Sequence, residues 1–105
     1  MLRRNRFAEL VRRQLDLFEE DAQTLLAEAE EADAAWTNAG RDDAEELYGD
    51  YQLVVDEIAE KLLDVRAAYA TTLEEATAEE YRAAFDRAAS KRFGRYTALL
   101  DDDTT

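Results

Sequence analysis

The chain has no cysteine, no histidine and no proline, and only three glycines among its 105 residues. Without cysteine there is no disulfide framework. Without histidine or cysteine there is no imidazole base, no thiolate nucleophile and no ordinary zinc site. A sheet protein would need more turn punctuation than Gly40, Gly49 and Gly94 supply. No glycine-rich phosphate loop is present. No apolar run approaches the ~20 residues of a membrane span. The early arginines are not followed by an apolar core, because Glu9, Arg12, Arg13 and Gln14 interrupt it. No signal peptide is therefore expected, and a cytoplasmic location is the default.

What is abundant is alanine, leucine, glutamate and arginine, the strong helix formers. The length suits one domain, residues 1–100, with a modest core. The net charge is −13, but the sign varies along the chain. Residues 1–15 and 81–100 each carry +4, the stretch between them −18, and Asp101, Asp102 and Asp103 add −3. Such acidity argues against general nucleic-acid binding and favours solubility. Eleven of the thirteen bases are arginine, which fits a GC-rich genome or a salt-adapted proteome alike.

Apolar residues recur in alternating steps of four and three. From Ala44 the series runs Tyr48, Tyr51, Val55, Ile58, Leu62, Val65 and Tyr69. That is the heptad seam of a long amphipathic helix, predicted over 43–73. Leu47, Val54 and Ala59 widen the stripe, so this helix should touch two neighbours. Leu53 and Leu63 fall outside it. A first helix over 4–38 carries Ala8, Val11, Leu15, Phe18, Ala22, Leu25, Ala29, Ala32 and Trp36. At ~1.5 Å per residue it would be roughly 50 Å long. Asn38 and Gly40 tolerate the left-handed conformation that ends a helix, and Asp42 or Asp43 would cap the next.

Thr72 with Glu75, or Thr77 with Glu80, fits a capping box, so a bend and a third helix from 78 to 93, or on to 100, are expected, the alternative being that the second and third helices run on as one rod. It would bury Tyr81, Phe85, Ala88, Ala89 and Phe93, with a frayed acidic tail at 101–105. These elements predict an all-α fold. Its form is an elongated antiparallel three-helix bundle, a long hairpin plus a shorter third helix, with coiled-coil-like packing.

Folded up-down-up, the charge blocks meet. Arg3, Arg4 and Arg6 would lie beside Glu74, Glu75, Glu79 and Glu80. Arg92 and Arg95 would travel back toward Asp42, Asp43, Glu45 and Glu46. Exposed pairs of this kind contribute only ~0–1 kcal/mol each, so they set helix order more than stability. Arg3, Arg4, Arg6, Arg12 and Arg13 also form a candidate anion-binding arm at a helix N-terminus, where the dipole disfavours cations. Its partner would be nucleic acid or a membrane surface. Overall acidity and the single interleaved aromatic, Phe7, argue against both.

Glutamate-rich helices invite a di-metal carboxylate site, which needs inward glutamates and a Glu-x-x-His pair. Histidine is missing, and neither long seam holds an acid, so neither metal nor cofactor is expected. Four of the five tyrosines sit at seam positions, where tyrosine is ordinarily core. No enzyme is indicated.

Trp36 ends the first seam at the turn where Tyr48 and Tyr51 open the second. A third helix of at most ~24 residues, starting at the far end, would reach only ~35 Å of the hairpin. The Trp36 end would be least covered, and an uncovered aromatic cluster marks a partner surface. The expectation is a non-enzymatic structural or interaction protein that self-associates as a homodimer through Trp36, Tyr48 and Tyr51, or meets a protein partner there.

The turn Trp36-Thr37-Asn38-Ala39-Gly40, between two long helices in a chain of about a hundred residues, resembles that of the small secreted WxG-type helical proteins of bacteria. That family separates tryptophan from glycine by one residue, and here three intervene. Its export signal places an acid four residues after a tyrosine. Here those positions after Tyr48, Tyr51, Tyr69, Tyr81 and Tyr96 are Gln52, Val55, Leu73, Phe85 and Leu100. The resemblance covers the turn and general shape, and would imply a secreted helical hairpin.

Overall fold

Four helices carry the fold in the computed structural model, which describes residues 6–100. They are α1 (Ala8–Asp21), α2 (Gln23–Thr37), α3 (Arg41–Ala70) and α4 (Glu75–Phe93). A 3-10 turn, Gly94–Tyr96, follows α4. No strand occurs among the described residues. The molecule measures 52 × 27 × 24 Å. No described helix is long and apolar enough to cross a membrane. The expected tail at 101–105, with Arg3 and Arg4, lies outside the described residues.

The first correction concerns the helix expected over 4–38, which is two helices. Ala22 leaves helical geometry, with φ −100° and ψ 16°. Backbone bonds still bridge the break: the Ala22 N–H donates to the Phe18 carbonyl and the Leu26 N–H to the Ala22 carbonyl, both at 2.8 Å. The break falls where the helix changes partners. α1 touches both α3 and α4, whereas α2 packs chiefly along α3. Neither proline nor glycine marks the spot, so tertiary packing sets it rather than local chemistry.

Three helix boundaries also differ from expectation. The hydroxyls of Thr71 and Thr72 donate backwards, to the carbonyls of Ala68 (3.1 Å) and Tyr69 (2.7 Å). They close α3 at Ala70, before the expected Leu73, instead of capping α4. α4 starts at Glu75, three residues before the expected 78, with no side-chain cap bond from its N-cap Glu74. At the other turn, Gly40 is an extended N-cap (φ −71°, ψ 167°) and α3 begins at Arg41. Asp42 and Asp43 occupy its first turn rather than capping it, where their charge suits the helix dipole. No described residue, glycine included, has a positive φ, so the left-handed stop expected at Asn38 and Gly40 is not used.

One continuous apolar cluster joins all four helices. Val11 and Leu15 from α1, Ile58 and Leu62 from α3, and Tyr81 and Phe85 from α4 are its largest fully buried side chains, with Leu100. Each such aliphatic or aromatic residue contributes roughly 1.5–3 kcal/mol on burial. α4 runs alongside α1 in the same direction. Phe7 meets the Tyr81 ring edge-on at 5.5 Å near one end, and Phe18 meets Phe93 at 5.3 Å near the other. Beyond α4 the chain stays docked, with Tyr96 and Leu100 buried.

Two polar features lie inside this core. The Tyr81 hydroxyl donates to Gln14 Oε1 at 2.8 Å, and its ring packs on Tyr69 at 4.8 Å. Tyr81 thereby links α1, α3 and α4. Arg66, 2% exposed, donates from Nη1 to Asp86 Oδ1 at 2.7 Å and ties α3 to α4. Burial holds the Tyr81 phenol up at about 12, with nearby Tyr69 adding to the effect and Gln14 opposing it.

Truncating one member of the buried pair leaves the other charge poorly compensated. Arg66→Met or Asp86→Leu alone should cost about 3 kcal/mol in urea unfolding, and the double variant much less than their sum. The phenol supplies a second expectation. An unfolded Tyr81 ionises near 10.0 and the folded one near 12, so its contribution is intact below pH 10 and is lost as pH rises to about 12. Unfolding free energies measured from pH 8 to 11.5 should fall less steeply for Tyr81→Phe than for the native chain.

Candidate functional site

The α2–α3 turn is short and built from backbone bonds. The Asn38 N–H donates to Ala34 O at 3.0 Å, and the Asp43 N–H to Gly40 O at 3.1 Å. This reversal brings Trp36, Tyr48 and Tyr51 together. Trp36 and Tyr48 meet edge-on at 5.0 Å. Tyr51 lies 6.5 Å from Trp36 and 6.1 Å from Tyr48, completing a triangle of rings. Tyr48 is 45% exposed, one of three large apolar or aromatic side chains so exposed among the described residues. The other two are Leu17 and Leu53.

The indole Nε1 of Trp36 is buried and finds no acceptor among the described residues. Beside the triangle, Tyr51, Tyr96 and Leu99 line a groove of about 330 Å³. The C-terminal segment therefore reaches the Trp36 end more closely than a short third helix would. Arg95 holds that segment to α2, donating to Glu30 at 2.7 Å and Asp33 at 3.0 Å. Burial raises the Tyr96 phenol above its usual range, Arg95 opposing and Glu30 reinforcing the shift.

The expected charge matching is half met. Arg6 pairs with Glu80 at 3.3 Å, joining the start of α1 to α4. Arg92 instead pairs with Asp16 (2.8 Å) and Glu19 (3.4 Å), and Arg95 with Glu30 and Asp33. Asp42, Asp43, Glu45 and Glu46 make no ion pair among the described residues. The reason is length: α4 ends at Phe93 beside Phe18, well short of the turn.

Within the candidate arginine arm, Arg6 is paired, and Arg12 holds Glu9 at 2.6 Å and Asp16 at 3.4 Å. Arg13 is exposed and makes no ion pair among the described residues. No group of three or more acids among the described residues is arranged to hold a metal. The two phenols with resolved shifts are both raised, so both stay protonated at neutral pH.

The buried polar residues Arg66 and Thr97 were not legible from the sequence, nor were the half-buried Gln14 and Asp86. Arg66 extends the buried series Val55, Ala59, Leu62, Arg66, Ala70 along α3. That second stripe was the available signal, and arginine's charge hid it. Comparison with known protein families, curated proteins and solved structures finds no match. Geometry alone therefore carries the functional reading.

The ring triangle makes a measurable claim. A double-mutant cycle of Trp36→Leu and Tyr48→Leu in urea unfolding should return a coupling of about 0.5–1 kcal/mol.

Proposed function

We propose that this chain is a non-enzymatic helical interaction protein that self-associates through the α2–α3 turn. In this reading α1 and α2 act as one bent rod of an antiparallel three-rod bundle with coiled-coil-like packing. The rod ends at Trp36 serve as the contact surface. One observation carries the reading: Trp36, Tyr48 and Tyr51 converge at one end of the molecule, with Tyr48 45% exposed. Aromatic clusters of this kind dominate interface energetics because they bury much area at small entropic cost. The pairing that suits one self-complementary patch is a two-fold dimer. An anion-binding role for Arg3, Arg4, Arg6, Arg12 and Arg13 has less support, because Arg6 and Arg12 already hold carboxylates.

Light scattering across micromolar concentrations should show a dimer, with the lone tryptophan's fluorescence changing as it forms. Added salt should strengthen the contact by screening repulsion between two acidic copies. Tyr48→Glu should weaken it at least about tenfold. A monodisperse monomer at every concentration would sink the proposal.

A further inference from the structure

The second exposed leucine points to a different contact. Leu53, on α3, is 70% exposed. Asp50 lies three residues before it and Glu57 four after, so the three share one helix face. Both acids are exposed, and neither makes an ion pair among the described residues. The face is therefore an apolar knob between two free carboxylates.

The complementary surface lies between α1 and α4. A groove of about 430 Å³ there has a floor that includes Val11, Leu15, Ala84 and Ala88. Alanine on the α4 side leaves the trough open. Arg87 and Lys91 line it one helical turn apart, both exposed and both without an ion pair among the described residues. Arg13, Arg41 and Lys61 also lack an ion pair among the described residues, but of these unpaired bases only Arg87 and Lys91 line this groove. These two, lining the α4 rim of an apolar trough, suit an occupant that carries an apolar side chain with acids beside it along one helix face.

We propose that the α1–α4 groove receives the Leu53 face of α3 from a second copy of this chain. Leu53 enters the trough over Ala84 and Ala88, while Asp50 and Glu57 meet Arg87 and Lys91. The contact cannot form within one chain, because α3 turns Val55 and Ile58 into its own core and Leu53 away. A polyphosphate would use the cations but leave the apolar floor unfilled, and an acidic protein surface uses both. The contact is heterologous and involves none of the aromatic end, so it stands or falls independently of that dimer.

The test uses full-length chain carrying Tyr48→Glu, which disables the aromatic contact. Sedimentation equilibrium at low salt should still show association, at least about tenfold weaker at 0.5 M salt. Arg87→Glu/Lys91→Glu and Asp50→Lys/Glu57→Lys should each lose at least about tenfold in self-affinity. An equimolar mixture of the two charge-reversed chains should recover it to within about threefold. Leu53→Ser, which stays on an exposed position and should not affect folding, should abolish association without changing the helical circular dichroism. Absence of association in the Tyr48→Glu chain at low salt, or failure of the mixture to recover it while both chains remain helical, would overturn the proposal.

Discussion

Ile58 and Leu62 have no solvent exposure at all, and every other helix is placed by the need to cover them and their neighbours. α3 is thirty residues long and cannot hide two stripes against a single partner. One stripe, through Val55, Ile58, Leu62 and Val65, follows the heptad. The other, through Ala59, Leu62, Arg66 and Ala70, faces another direction. α4 meets α3 near its C-terminal end, through Tyr69 against Tyr81 and Arg66 bonded to Asp86, and α2 packs along α3 more extensively than either α1 or α4 does. The break at Ala22 lets a continuous stretch of chain serve both arrangements.

Apolar seams of alanine, leucine and tyrosine have a weakness: a slip of one heptad changes little. The buried polar contacts remove that freedom. A slipped α4 would strand Arg66 and Asp86 inside the core, and each stranded charge costs several kcal/mol. Tyr81 adds a second restraint, because its hydroxyl finds Gln14 in one register only. The polar interior thus selects an alignment among alternatives that hydrophobic burial would accept almost equally.

The sequence disclosed the periodic part of this structure. The four-three steps placed most of both long seams, with Ala8 and Tyr48 exposed instead, and the α4 residues named as inward all turn inward: Tyr81, Phe85, Ala89 and Phe93 are buried and Ala88 is half-buried. The approach of Trp36 to Tyr48 and Tyr51 followed from where the turn lies. What stayed hidden was whatever depends on neighbours rather than on period. Ala22 breaks a helix without a breaker residue, Thr71 and Thr72 serve the earlier helix instead of the later one, and Arg66 is buried despite its charge. Arg92 and Arg95 found nearer acids because α4 is shorter than the hairpin. Length arithmetic bounded that outcome, but the chosen partners depend on the register along α1 and α2.

Charge then determines which surfaces can meet another molecule. The bases are spent largely on internal ties: Arg6, Arg12, Arg82, Arg92 and Arg95 each hold a carboxylate. The long acidic faces of α2 and α3 are left mostly uncompensated, so two copies repel over most of their area. Contact is favourable only where repulsion is locally absent or overcome. The aromatic end meets the first condition in part, because Arg95 neutralises Glu30 and Asp33 beside it. The α1–α4 groove meets the second, since Arg87 and Lys91 remain available there. Repulsion between acidic faces thus narrows the surfaces on which the proposed contacts could form.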